Sequence, residues 1–183
     1  GSATVICTDK TGTITENRMS LAQLFVQANG TMLASDSWSG AEAQQVIAVA
    51  MWASEPVPFD PMEVALHETY QQTTPGDLRQ VFRMVHEYPL GGKPPMMTHV
   101  FANDAGERII ACKGAPERIL RQSLLSEEQK TVALAQVETL AGQGLRVLGV
   151  AEAKLSGDAF PKDQEEFTLD FLGLVAFNDP PKA

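Results

Sequence analysis

Asp9-Lys10-Thr11-Gly12-Thr13-Ile14-Thr15 follows the short β-branched run Thr4-Val5-Ile6-Cys7. The run reads as one buried strand, and the Thr/Gly-rich stretch as the turn into which it leads. A carboxylate at the C-terminal end of a buried strand stands where a loop presents it to a ligand. Lys10 and the backbone N–H groups of the loop can offset the charge of a phosphate. The plainer reading is an Asp-Lys-Thr-Gly turn in which Asp9 caps its own backbone. Chance is a poor explanation of the string: at about 5% usage per residue type it arises on the order of 10⁻⁹ per position. The strand has no partner nearby in sequence and reads as a fragment of a domain distinct from the one that follows.

Outward from this stretch the pattern changes. Leu21 to Ala28 suits a strand, Asn29-Gly30 a turn, and Thr31 to Ala34 a returning strand. Ala41 to Ala53 is a helix, with Ala43, Val46, Ile47, Val49, Ala50 and Met51 mainly on one side. Asp60-Pro61 reads as an N-cap and first helical position, and that helix runs to about Thr73. Val81 to Tyr88, Met96 to Ala102 and Glu107 to Lys113 read as strands. A helix at about Pro116 to Gln122 follows, then a longer one opened by the capping box Ser126-Glu127-Glu128-Gln129 and ended near Gly142 or Gly144. Leu145 to Ala153 and Leu169 to Phe177 are the last strands, separated by a loop containing Ser156 to Asp163. Strands beside strands, with helices interspersed, predict an α+β fold with a mainly antiparallel sheet flanked by helices.

The 183 residues suffice for one good-sized core, and 44% hydrophobic residues fit an ordinary water-soluble domain. No apolar run approaches the roughly 20 residues that span a bilayer, and the N-terminus is too short and weakly apolar for a signal peptide. The net charge of −9 argues against a nucleic-acid partner. It leaves room for a small anionic ligand, which needs only a few local cations. Cys7 and Cys112 each lie in a short apolar run and read as buried free thiols. No Cys/His spacing resembles a zinc site, and no Gly-x-x-x-x-Gly-Lys-Ser/Thr loop is present.

Several later stretches carry chemistry. In Lys113-Gly114-Ala115-Pro116-Glu117 a strand ends on a lysine, a glycine lets a ligand approach the backbone, and a proline opens a helix. Phe59-Asp60-Pro61-Met62-Glu63-Val64-Ala65-Leu66 puts two acids three apart at a helix start, where they can cap the helix, accept from a ligand's amino group, or both. Glu87-Tyr88-Pro89-Leu90-Gly91-Gly92-Lys93 reads either as an aromatic and a basic residue facing a ligand or as a core tyrosine before a flexible turn. Gly144-Leu145-Arg146-Val147-Leu148 and Asp179-Pro180-Pro181-Lys182 complete the series.

With Asp9-Lys10-Thr11-Gly12-Thr13, these stretches resemble, in order and over nearly the whole chain, the P-type cation-transporting ATPases, with a leaning towards their calcium-type branch. A heavy-metal pump is disfavoured, since such pumps lack the Lys-Gly-Ala-Pro-Glu motif. The resemblance implies a nucleotide-binding domain over residues 19–175. It places a phosphorylation-domain stub and first hinge at 1–18, and a second hinge and stub at 176–183, the stubs being haloacid-dehalogenase-like. Asp9 becomes the nucleophile that forms an aspartyl phosphate, with Lys10 and Thr11 beside it. Thr11 stands where related phosphatases carry an acid/base aspartate, which lets the acyl phosphate persist. The resemblance assigns ATP to Asp60, Glu63, Tyr88 (stacked on adenine), Lys93, Lys113, Gly114 and Arg146. Asp179, Pro180 and Pro181 form the hinge. Asp9 and Thr11 would contribute to Mg2+ in the full protein, and no metal site is complete in this chain.

The implied partners are ATP and the phosphorylation, actuator and transmembrane domains of the same polypeptide. The implied place is the cytoplasmic face of a plasma or inner membrane of a prokaryote. The chain alone is expected to be monomeric, and to bind ATP without turning it over. The alternatives are a stand-alone nucleotide-binding module and a haloacid-dehalogenase-type phosphatase, the latter opposed by Thr11.

Overall fold

The computed structural model describes residues 18–179. Asp9, Lys10 and Thr11, the strand expected at residues 4–7 with Cys7, and Pro180 and Pro181 of the expected hinge lie outside the described residues. In chain order the elements are β1 (Ser20–Val26), β2 (Thr31–Ala34), α1 (Ala41–Trp52), α2 (Pro61–Thr73), β3 (Arg83–Gly91), β4 (Met96–Ala102), β5 (Arg108–Gly114), α3 (Pro116–Arg121), α4 (Glu127–Gly142), β6 (Arg146–Ala153) and β7 (Asp170–Asn178). The strands form one sheet in the order β2-β1-β7-β6-β5-β4-β3, and each neighbouring pair is antiparallel. The α+β expectation holds for the described residues.

Local chemistry sets the helix starts. Asp60 Oδ1 accepts from the backbone N–H of Met62 at 2.7 Å and of Glu63 at 3.4 Å, and Pro61 fills the first position. Ser126 and Gln129 close a reciprocal capping box on α4.

The alternation of strand side chains divides the core between the two faces of the sheet. Val26, Phe101, Ala111, Val150, Val175 and Phe177 pack against α1 and α2 through Val46, Ile47, Ala50, Leu66 and Tyr70. Phe25, Val100, Ile110, Cys112, Leu174 and Ala176 pack on the other side against Ile119, Leu120 and Leu140 of α3 and α4. Each of the Val, Ile, Leu and Phe side chains among these contributes about 1.5–3 kcal/mol by its burial. Cys112 is the buried free thiol expected of it. Burial raises its pKa to about 12, against the opposing hydrogen bond from Thr98.

One irregularity matters for the site. Tyr88 pairs with Thr98, but Gly91 pairs with Met96, so β3 carries one extra residue between these two rungs. Such a bulge turns the side chains beyond it to the opposite face. β3 also runs three residues past the expected end at Tyr88, which carries Leu90 onto the sheet.

Candidate functional site

Lys113, the penultimate residue of β5, lies on the face that α1 and α2 cover. Its Nζ donates to Glu63 Oε2 at 2.7 Å and to Met97 Sδ at 3.1 Å, with the lysine and glutamate side chains 7% and 9% exposed. The other Glu63 oxygen accepts from the backbone N–H of Glu55 at 3.2 Å. A buried ammonium and carboxylate are tolerated only when paired and hydrogen-bonded, and here each is both. Two of the three N–H donors of Lys113 have partners among the described residues. Around the pair opens a cleft of about 340 Å³, with Met62, Leu90, Met97 and Leu148 on its apolar walls and Gly114 at the backbone. A Cβ on Gly114 would stand 2.5 Å from Met96 Cα and 2.6 Å from the Pro95 carbonyl oxygen, so only glycine lets β5 and the 92–95 turn approach this closely. Apolar walls, a few fixed polar groups and this volume describe a small-molecule site. A larger hollow of about 640 Å³ lies between the first and last described residues and α2. Its one basic lining residue, Arg18, is exposed and pairs with Glu68 at 3.5 Å, so it gathers no comparable chemistry.

A family model for the P-type ATPase, cytoplasmic domain N, matches residues 57–183. The chain belongs to this family. Relatives that align with the whole chain include a sodium/potassium exporting P-type ATPase of Schizosaccharomyces pombe at 28% identity, calcium-transporting ATPase 1 of Saccharomyces cerevisiae at 29%, and a calcium-transporting ATPase of Bacillus subtilis at 25%. The chain spans 23%, 23% and 25% of their respective lengths.

Within this N domain the cleft brings together Asp60, Glu63, Lys113 and Gly114 of the sequence-predicted residues. Asp60 caps α2 with one oxygen and still lines the cleft, so the capping reading holds without displacing the other. Arg146 lies on the same strand as the cleft residue Leu148, two positions away and therefore on the same face. Its Nε pairs with Asp179 Oδ1 at 3.3 Å, and both side chains are exposed. Lys93 is exposed on the turn after β3, outside the cleft lining.

Tyr88 requires a correction. It was expected to stack on a base, but it points to the opposite face of the sheet from Lys113. There it is 6% exposed, meets Phe167 edge to face, and donates its hydroxyl to the Pro161 carbonyl. Burial, followed by the charges of Glu166 and Asp163, raises its pKa above the ordinary 10. The residue that the bulge delivers to the cleft is Leu90, 63% exposed.

The sequence reading also missed Glu55, Met97, Leu148 and Arg118. Leu148 was within reach, because a strand that presents Arg146 must present Leu148 on the same side. Arg118 is buried under the 92–95 turn. It donates Nη1 to the Pro94 carbonyl at 3.0 Å and Nε to Gln122 at 2.8 Å, pinning the turn that passes Gly114.

Proposed function

We propose that this cleft holds the adenosine part of ATP, and that the whole protein couples ATP hydrolysis to cation transport through an aspartyl phosphate on Asp9. The observation that supports this most is the buried Lys113–Glu63 pair beside Gly114 in an apolar cleft. A flat aromatic base fits between Leu90, Met97 and Leu148, a carboxylate of Asp60 or Glu63 accepts from its exocyclic amino group, and the remaining Lys113 donor reaches a ring nitrogen. Arg146, on the same face, then meets the phosphates once it leaves Asp179.

Among the described residues no converging group of three metal-ligating side chains lines the cleft, so magnesium is placed outside it. Its ligands would be Asp9 and Thr11 together with the remainder of the polypeptide. The 183-residue chain therefore binds ATP weakly, with or without magnesium, and does not turn it over.

NMR titration of the labelled chain with ATP tests the reading. Shifts should cluster at Glu63, Leu90, Lys113 and Leu148, and be largely unchanged by magnesium. Shifts confined to residues far from Lys113, or none at millimolar ATP, would remove it. Label retained on Asp9 after acid quench of the chain with γ-labelled ATP and magnesium would overturn the claim that it only binds.

A further inference from the structure

His99 is the one fully buried imidazole with an unsatisfied nitrogen among the described residues. Its side chain is 0% exposed. Nδ1 lies 3.2 Å from the Trp52 carbonyl oxygen and 3.1 Å from that of Ser54. Carbonyl oxygens only accept, so Nδ1 carries a proton, and in the neutral ring Nε2 is then a lone-pair donor. Nε2 has no hydrogen-bond partner. It faces two carboxylates instead, Glu55 Oε2 at 3.4 Å and Glu87 Oε2 at 3.6 Å. Three groups that only offer lone pairs converge, with their ligand atoms all within 4.8 Å of one another.

We propose that Glu55, Glu87 and His99 bind a divalent transition cation of the zinc class. Hydrogen bonds from a ring N–H to oxygen run about 2.7–3.2 Å, shorter than either contact. Ligand atoms held at about 2.0–2.2 Å from a tetrahedral zinc ion stand about 3.3–3.6 Å apart, which matches both contacts. The imidazole is held as metal-bound histidines usually are, with its other nitrogen donating to backbone carbonyls.

The carboxylates are positioned independently. Glu87 is the cross-strand partner of His99 in the β3–β4 ladder. Glu55 is fixed at both ends of its backbone, its N–H donating to Glu63 and its carbonyl accepting from His67 Nε2 at 3.0 Å. The carboxylate side chains are 45% and 39% exposed. Solvent can therefore supply the fourth ligand and give the ion a way in. The site needs no nucleotide and stands beside the cleft, sharing only Glu55 with it.

Zinc titrated calorimetrically into the chelator-treated, nucleotide-free 183-residue chain should show one saturable site, and cobalt at the same site should give a tetrahedral visible spectrum. Glu87→Gln and Glu55→Gln should each weaken binding at least about tenfold while the metal-free chain keeps its melting temperature. His86→Asn, which alters a histidine outside the cluster, should leave binding unchanged. In ¹⁵N spectra the His99 Nε2 resonance should move on adding zinc. Absence of saturable binding up to about millimolar zinc, or binding that survives both glutamate substitutions, would overturn the proposal. An Nε2 that keeps a proton in the presence of zinc would overturn it as well, because the imidazole would then be serving the carboxylates alone.

Discussion

His67 is buried on α2 with both ring nitrogens engaged. Arg79 Nη1 donates to Nδ1 at 3.0 Å, and Nε2 donates to the Glu55 carbonyl at 3.0 Å. The neutral tautomer is thus fixed by its neighbours, and a second proton would face the Arg79 guanidinium. Burial first, and Arg79 in addition, hold its pKa below the ordinary 6.5, the Glu55 bond opposing them. The unfolded chain takes up this proton near pH 6.5 while the folded chain still resists it, so stability falls as pH drops below that value. Urea unfolding at pH 7.5 and 5.5 should show the loss, and His67→Gln should show a smaller one. The Lys113–Glu63 pair makes the second residue-scale prediction. Lys113→Met strands a buried carboxylate and should cost about 3–5 kcal/mol. Adding Glu63→Gln should return part of that, measured by the same unfolding, because the stranded charge is gone. A double variant no more stable than Lys113→Met would show that the cost is packing alone.

At the scale of elements, most of the fold was legible because each segment carried its own punctuation. Asp60-Pro61 and Ser126 through Gln129 state where α2 and α4 begin, and the structure starts both helices there. β4 and β5 are short runs buried on both faces for most of their length and pair without a bulge, so their bounds were legible to within a residue. β3 differs. Its bulge arises from pairing with β4, a relation between distant residues that local pattern does not carry, and a one-residue slip exchanges faces. The resemblance put Tyr88 rather than Leu90 at the ligand, and of the two readings open for Tyr88 the structure shows the core tyrosine. Tyr88→Phe should therefore lower stability by about 0.5–1.5 kcal/mol through the lost bond to Pro161, with ATP affinity unchanged. Leu90→Ala should weaken ATP binding. Leu90→Phe should tighten it by about two- to tenfold, as an aromatic ring stacks on the base. Calorimetric titration of the three variants distinguishes the two faces, and a loss of affinity in Tyr88→Phe would reverse the assignment.

At the scale of the molecule, the sequence order hides which strands touch. β1 sits between β2 and β7, so the first and last described strands are neighbours, with Ser20 opposite Asn178. No local signal in either strand specifies that partnership; it follows from closing the sheet over both helical layers. The two ends of the described residues therefore lie side by side. Asp179 lies at this crossing and holds Arg146, which shares its strand face with the cleft. If Arg146 turns to meet phosphate, it must first leave Asp179. The exposed pair is worth about 0.2–1 kcal/mol, so its release takes that much from ATP binding. Asp179→Ala should consequently tighten ATP binding by about 1.5- to 5-fold, with stability changed by no more than about 0.5 kcal/mol. Arg146→Ala should weaken binding, and adding Asp179→Ala to it should change nothing further. The titrations belong at low ionic strength, where the exposed pair is least screened. An Asp179→Ala variant with unaltered affinity would mean that Arg146 does not meet the nucleotide, and that Lys113 is the cation on which the cleft depends.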